Sequence, residues 1–161
     1  MGSTDGVPQG RHKMPGSYVS NYVHVVFSTK NRLKIIREEL QPKLWAYMAG
    51  IAKNHGMNPL AIGGIEDHAH ALLSLGSTLG IAKAVQVLKA NSSRWMNQNP
   101  GDRFEWQEGY FACSVSQSQV ATIRRYIANQ TEHHRRMDST QELDLLLKKH
   151  ALSNRVDVAP K

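Results

Sequence analysis

The sequence holds a single cysteine, Cys113, in 161 residues. One thiol cannot close an internal disulfide or build a cysteine-rich zinc knuckle, so any bound metal must use histidine, carboxylate or amide ligands. Long apolar runs are missing as well: no stretch approaches the roughly 20 residues that a membrane span requires. The polar opening Met1-Gly-Ser-Thr-Asp-Gly-Val-Pro has no apolar signal core, so the expectation is a soluble, cytoplasmic protein without a membrane partner. Aromatic residues are scarce at 7%, yet 40% of the chain is hydrophobic. That is enough to build a core and to exclude wholesale disorder. Acidic residues are the minority, 13 against 20 Lys and Arg, for a net charge of +7. The balance favours a polyanionic partner, nucleic acid first, and is equally compatible with ordinary solubility.

Residues 1–16 mix Gly, Pro, Ser, Arg and Lys without periodicity and read as a flexible leader. Residues 17–150 are expected to form one domain and residues 151–161 a tail. Tyr18 to Ser28 is rich in β-branched and aromatic residues, which predicts a strand. A helix is expected from Arg37 to His55, with Leu40, Leu44, Tyr47, Met48 and Ile51 at helical spacing and Gly56 as its stop. Leu60–Ile65 and His68–Leu75 flank a Glu66-Asp67 turn and predict a hairpin. A second helix, Leu79–Met96, turns Ile81, Val85, Leu88 and Trp95 inward and ends at Asn99-Pro100-Gly101. Phe104–Val115 reads as strand interrupted by Gly109. Ser116 and Gln119 match a capping box that opens a helix with Val120, Ile123 and Ile127 on its apolar stripe, and a last helix covers Thr140–His150. This order is the split βαβ, ferredoxin-like plan: an α+β fold with an antiparallel sheet, helices on one face, and an added C-terminal helix.

Two motifs carry chemistry. In Asp67-His68-Ala69-His70-Ala71-Leu72-Leu73-Ser74-Leu75, strand alternation points His68 and His70 to one face and Ala69, Ala71, Leu73 and Leu75 to the other. Two neutral imidazoles at this spacing suit a shared cation with open positions for substrate oxygens; two half-exposed edge histidines are the other reading. The second motif is the basic helix Arg124 to Arg136, in which Tyr126 and Gln130 share a face and His133 continues it. A tyrosine framed by Arg124 and Arg125 suits attack on a phosphodiester, whereas a surface tyrosine on a solvated cationic helix would look the same in isolation.

Taken together, the motifs resemble the HUH superfamily of endonucleases, and more closely the single-tyrosine transposases of small insertion sequences that move as single-stranded DNA. REP-associated relatives are included in that likeness. It runs from about Tyr18 to Arg136 through Val-His-Val-Val-Phe-Ser-Thr-Lys-Asn-Arg, Glu-Asp-His-Ala-His, Phe-Glu-Trp-Gln-Glu-Gly-Tyr-Phe and Tyr-Ile-Ala-Asn-Gln-Thr-Glu-His-His-Arg. Ala69 is smaller than the usual residue at the hydrophobic position. The resemblance implies a magnesium or manganese ion on His68, His70 and Gln130. It also implies Tyr126 as the nucleophile of a 5′-phosphotyrosine intermediate, and single-stranded DNA with hairpin-bearing ends as substrate. A homodimer is implied too, in which Gly109 and Ser116–Ser118 could let the tyrosine helix reach the partner's site. Lys30, Arg32 and Lys34 form one candidate DNA patch and Lys83, Lys89 and Arg94 another, with Arg124 and Arg125 beside the tyrosine. Trp45, Trp95, Trp106, Met48 and Cys113 are read as packing, and His24, His133 and His134 as further candidates near the metal or phosphate. The competing functions are a domesticated nuclease acting on chromosomal palindromes, a non-catalytic nucleic-acid-binding module and a small-substrate metallohydrolase.

Overall fold

The computed structural model describes residues 16–98, 101 and 103–150. The leader up to residue 15, the Asn99-Pro100 stop and the tail from residue 151 lie outside the described residues. The elements in chain order are β1 (Tyr22–Ser28), α1 (Gln41–Asn54), β2 (Asn58–Ile65), β3 (His68–Ser74), α2 (Ile81–Met96), β4 (Phe111–Val115), α3 (Val120–Ala128), α4 (Gln130–His134) and α5 (Ser139–Lys149). The sheet order is β2-β3-β1-β4 and every pairing is antiparallel. Each helical crossover therefore skips one strand, which interleaves two βαβ units as the ferredoxin-like plan requires.

Alternation along the two central strands divides the sheet into a core face and a polar face. Val23, Val25 and Phe27 of β1 and Ala69, Ala71 and Leu73 of β3 point to the core face. Leu44, Met48, Ile51 and Ala52 of α1 and Ala84, Val85 and Leu88 of α2 close over them. Gly56 ends the first helical segment at φ +75, a conformation glycine adopts without steric cost. The three tryptophans pack partly buried against this core, as expected of them. Helices α3, α4 and α5 cover the opposite face, where β1 and β3 place His24, His68 and His70. Close docking of α3 depends on Gly63 of β2, because a Cβ there would meet the Ile127 carbonyl oxygen at 2.9 Å.

Several boundaries differ from the expected ones. β1 starts at Tyr22 and not Tyr18, because ladder partners on both sides begin only there, opposite Ser74 and Val115; Tyr18 is 77% exposed. Of Phe104–Val115 only Phe111–Val115 is strand. Ahead of it the Lys89 ammonium binds the Gln107 and Gly109 carbonyls at 2.7 and 2.6 Å, while Phe104 inserts into the core. Ser116 caps nothing: its hydroxyl pairs with that of Ser118, and a 3-10 turn, Gln117–Gln119, leads into α3. The capping box lies instead at Asp138 and Gln141, opening α5. The basic helix is broken at Asn129 (φ −101, ψ 22), so Tyr126 and Gln130 stand on separate helices.

Candidate active site

His68 and His70 leave β3 on the same side, and each has a partner on Nδ1. Asp67 Oδ1 lies 2.7 Å from His68 Nδ1, and His24 Nε2 lies 2.9 Å from His70 Nδ1. Asp67 is itself held by the Ser139 hydroxyl at 2.9 and 3.0 Å. The two Nε2 atoms are thereby turned towards one point beneath the covering helices. Both imidazoles are buried, and His70 Nε2 is a fully enclosed nitrogen without a hydrogen-bond partner. An enclosed ring nitrogen without a hydrogen bond is unfavourable unless something else engages it.

Three side chains from the covering helices meet at that point. The Tyr126 hydroxyl of α3 donates to Glu142 Oε1 of α5. Gln130, at the start of α4, places Oε1 3.3 Å from His68 Nε2 and also donates to Glu142 Oε1 at 3.3 Å. The Glu142 carboxylate approaches His68 Nε2 to 3.2 Å and His70 Nε2 to 3.3 Å. The break at Asn129 does not separate the expected face: Gln130 still reaches the Tyr126 carbonyl, and His133 stacks edge-on against the Tyr126 ring at 5.2 Å. His134 Nε2 binds Glu142 Oε2 at 2.6 Å. A cavity of about 680 Å³ opens beside Tyr126 and Glu142, between β4, α3 and α5.

Glu142 had no place in the sequence reading, and α5 shows why it should have had one. It is the buried residue of that helix, whereas Leu145 is 51% exposed. An amphipathic helix that hides an acid and exposes a leucine is built around a polar site. His68, His70 and Glu142 together form a group whose ligand atoms lie within 4.8 Å of one another. Neighbouring ligands around an octahedral ion at 2.0–2.1 Å lie about 3 Å apart, so the observed spacings suit a small divalent cation. The cluster of two imidazoles, a carboxylate and an amide oxygen can hold such an ion.

The charges are strongly coupled. Burial opposes charge on Glu142, but contacts with His68 and His70 outweigh it and hold its pKa at about 2. Burial likewise opposes protonation of His68, and here Asp67 and Glu142 prevail and raise the pKa to about 9. Burial wins at His70, at His24 (about 3) and at His134 (about 4), which stay neutral. A cation binding at His68 Nε2 must therefore displace a proton at neutral pH. Affinity should rise with pH and level off above pH 9, since His70 and Glu142 are already in their ligating forms. Calorimetric titration with manganese is expected to show about a 50-fold gain between pH 7 and pH 9; a flat profile contradicts the raised His68 pKa.

Several of the basic residues have local partners. Arg124 and Arg125 are exposed on α3, and the Tyr126 hydroxyl is engaged by Glu142. Lys30 pairs with Glu105 at 2.7 Å, Lys34 with Glu66 at 3.1 Å, and Arg32 donates to Thr140 at 3.0 Å. Lys89 is committed to its two carbonyls. Arg94 stands exposed, and Lys83 reaches only Gln86 of its own helix. Among the described residues no helix is long and apolar enough to cross a membrane.

An antiparallel ferredoxin-like sheet that presents His-x-His beneath a tyrosine helix defines a single-tyrosine transposase of the HUH class. The chain belongs to the IS200-like transposase family, which matches residues 17–130. It is 27% identical over 114 residues to the ISDra2 transposase TnpA of Deinococcus radiodurans, covering 66% of this chain and 81% of that protein. It is also similar to a crystal structure of a candidate transposase from Deinococcus radiodurans R1, at 28% identity and a TM-score of 0.57. That likeness covers 73% of this chain and 97% of the other. A REP-associated tyrosine transposase bound to a REP hairpin shares the fold at 12% identity and a TM-score of 0.55, covering 91% and 92% of the two chains.

Proposed function

We propose that this transposase cuts and rejoins single-stranded DNA by transesterification through Tyr126, beside a magnesium or manganese ion held by His68, His70 and Gln130, with Glu142 as a fourth ligand. One observation carries the reading: the Tyr126 hydroxyl and both histidine Nε2 atoms of a single chain converge on the same carboxylate. A cation there would engage the enclosed His70 Nε2, which makes no hydrogen bond and faces Glu142 Oε1 at 3.3 Å. Bound there, the cation supplies charge stabilisation and orientation for a phosphate oxygen.

The protein's own groups do the rest. Glu142 aims the phenol, and Asp67 and His24 aim the imidazoles. Tyr126 Oη forms a bond to phosphorus as it gives up its proton, and the bond from phosphorus to the 3′ oxygen breaks as that oxygen becomes a hydroxyl. The product is a 5′-phosphotyrosine, and because one phosphoester has replaced another, the reverse attack by a 3′-OH rejoins the strand without ATP. Single-stranded DNA with hairpin-bearing ends is the proposed substrate, supported by the hairpin bound to the REP-associated relative. Exposed Arg124, Arg125 and the Lys30, Arg32, Lys34 loop are the proposed phosphate contacts. In the expected homodimer each chain would carry a complete site, because one chain already brings the whole set together.

The test is incubation of the protein with hairpin-bearing single-stranded oligonucleotides and manganese, followed by denaturing electrophoresis and peptide mapping. The expected product is a 5′-linked DNA adduct on the peptide containing Tyr126. A cleaved strand with no protein attached contradicts the reading.

A further inference from the structure

His24 sits in the middle of β1 with 1% of its surface exposed, and the reaction as proposed assigns it no direct part. It is diagonal to His70 across the ladder, since its direct partner is Leu72 and His70 lies opposite Val26. The two rings lie 5.2 Å apart at 22°, and His24 Nε2 is 2.9 Å from His70 Nδ1. Only one proton lies between those nitrogens, and either ring could carry it. If His24 donated, His70 would be left with its proton on Nε2, pointing at the converging ligands with no lone pair to offer. If His70 donates from Nδ1, its Nε2 lone pair is free. Glu142 Oε1, 3.3 Å from His70 Nε2, would receive a proton in the first arrangement, whereas a cation at the converging ligands requires the second.

We propose that His24 is a positioning residue that accepts a hydrogen bond from His70 Nδ1–H and so locks His70 in the tautomer whose Nε2 can bind a divalent cation. This rests on the metal reading given above and names a device that serves it. Asp67 does the corresponding work for His68, but the two devices differ in charge. An aspartate both orients an imidazole and strengthens its hold on a proton, whereas a neutral imidazole orients its partner without adding charge to a buried pair. One ligand is supported by a charge and the other by a dipole.

The distinguishing experiment compares His24→Gln with His24→Leu. Glutamine carries its amide oxygen about where the histidine Nε2 sits and can still accept from His70; leucine fills similar space with no acceptor. In His24→Leu, nothing holds the proton on His70 Nδ1, and manganese affinity measured by calorimetry is expected to fall 10- to 100-fold. In His24→Gln it is expected to stay within about threefold of the parent. Equal affinities for the two variants, in either direction, would overturn the proposal. Long-range proton–nitrogen correlation NMR on the parent protein saturated with magnesium gives a second readout that needs neither a variant nor cleavage. It should show the His70 proton on Nδ1, and a proton on Nε2 would overturn the assignment even if manganese binds. If the parent binds no divalent cation at all, the metal reading itself fails; if it binds one and the two variants bind it equally, the metal reading stands and the role of His24 falls.

Discussion

Replacing Tyr126 by phenylalanine is expected to lower strand cleavage by at least about 10⁴-fold and to eliminate the covalent adduct, because the substitution removes the attacking atom. Little else should change. The phenyl ring retains its packing against His70 at 5.5 Å and His133 at 5.2 Å. Glu142 loses one donor but keeps His68, His134 and Gln130 as neighbours, so the site does not collapse. Manganese affinity and binding of hairpin DNA, measured by calorimetry and filter retention, should remain within a few-fold of the parent. A Tyr126→Phe protein that still cleaves at an appreciable rate through hydrolysis would mean that water, and not the phenol, is the nucleophile.

Replacing His70 by alanine is expected to cost about 10³-fold in cleavage together with at least about 100-fold in manganese affinity. The combination separates this variant from Tyr126→Phe, which should lose only the chemistry. His70 is fully enclosed, so the substitution also leaves a cavity and deprives His24 of its partner, and some loss of thermal stability accompanies it. Hairpin binding is the control: exposed cations carry it, so it should persist. A His70→Ala protein with normal manganese affinity would show that the paired histidines hold no ion.

Much of this was readable in the chain, and the parts that were not have identifiable causes. Period-two alternation alone places His68 and His70 together on the face opposite Ala69, Ala71 and Leu73, because a strand leaves no other choice. The strand and helix order yields the ferredoxin-like plan, and the 3-10 turns and shortened strands change only its edges. Tyr126 and Gln130 meet as helical spacing suggests, even though the helix breaks between them. Glu142 was hidden for a different reason. It lies on a helix that local pattern describes as amphipathic, and nothing local says that its buried position faces histidines contributed by β3. Its signal was indirect, an acid on the inward side of α5 next to an exposed leucine. His24 shows the same limit, since a histidine in a strand discloses its role only when the partner on the neighbouring strand is known. Counting positive side chains also takes no account of their local partners, Glu105 for Lys30, Glu66 for Lys34 and two carbonyls for Lys89.

The account stands on nucleophile and histidines belonging to the same subunit, and subunit mixing tests that most directly. His70→Ala and Tyr126→Phe proteins, each inactive alone, would be combined under conditions where exchange between subunits is verified, and the DNA adduct quantified. The prediction is no adduct above the level of the separate variants, since every chain lacks one half of its own site. Substantial recovery would contradict it, because an active pair of histidines and an active tyrosine would then have met across two chains.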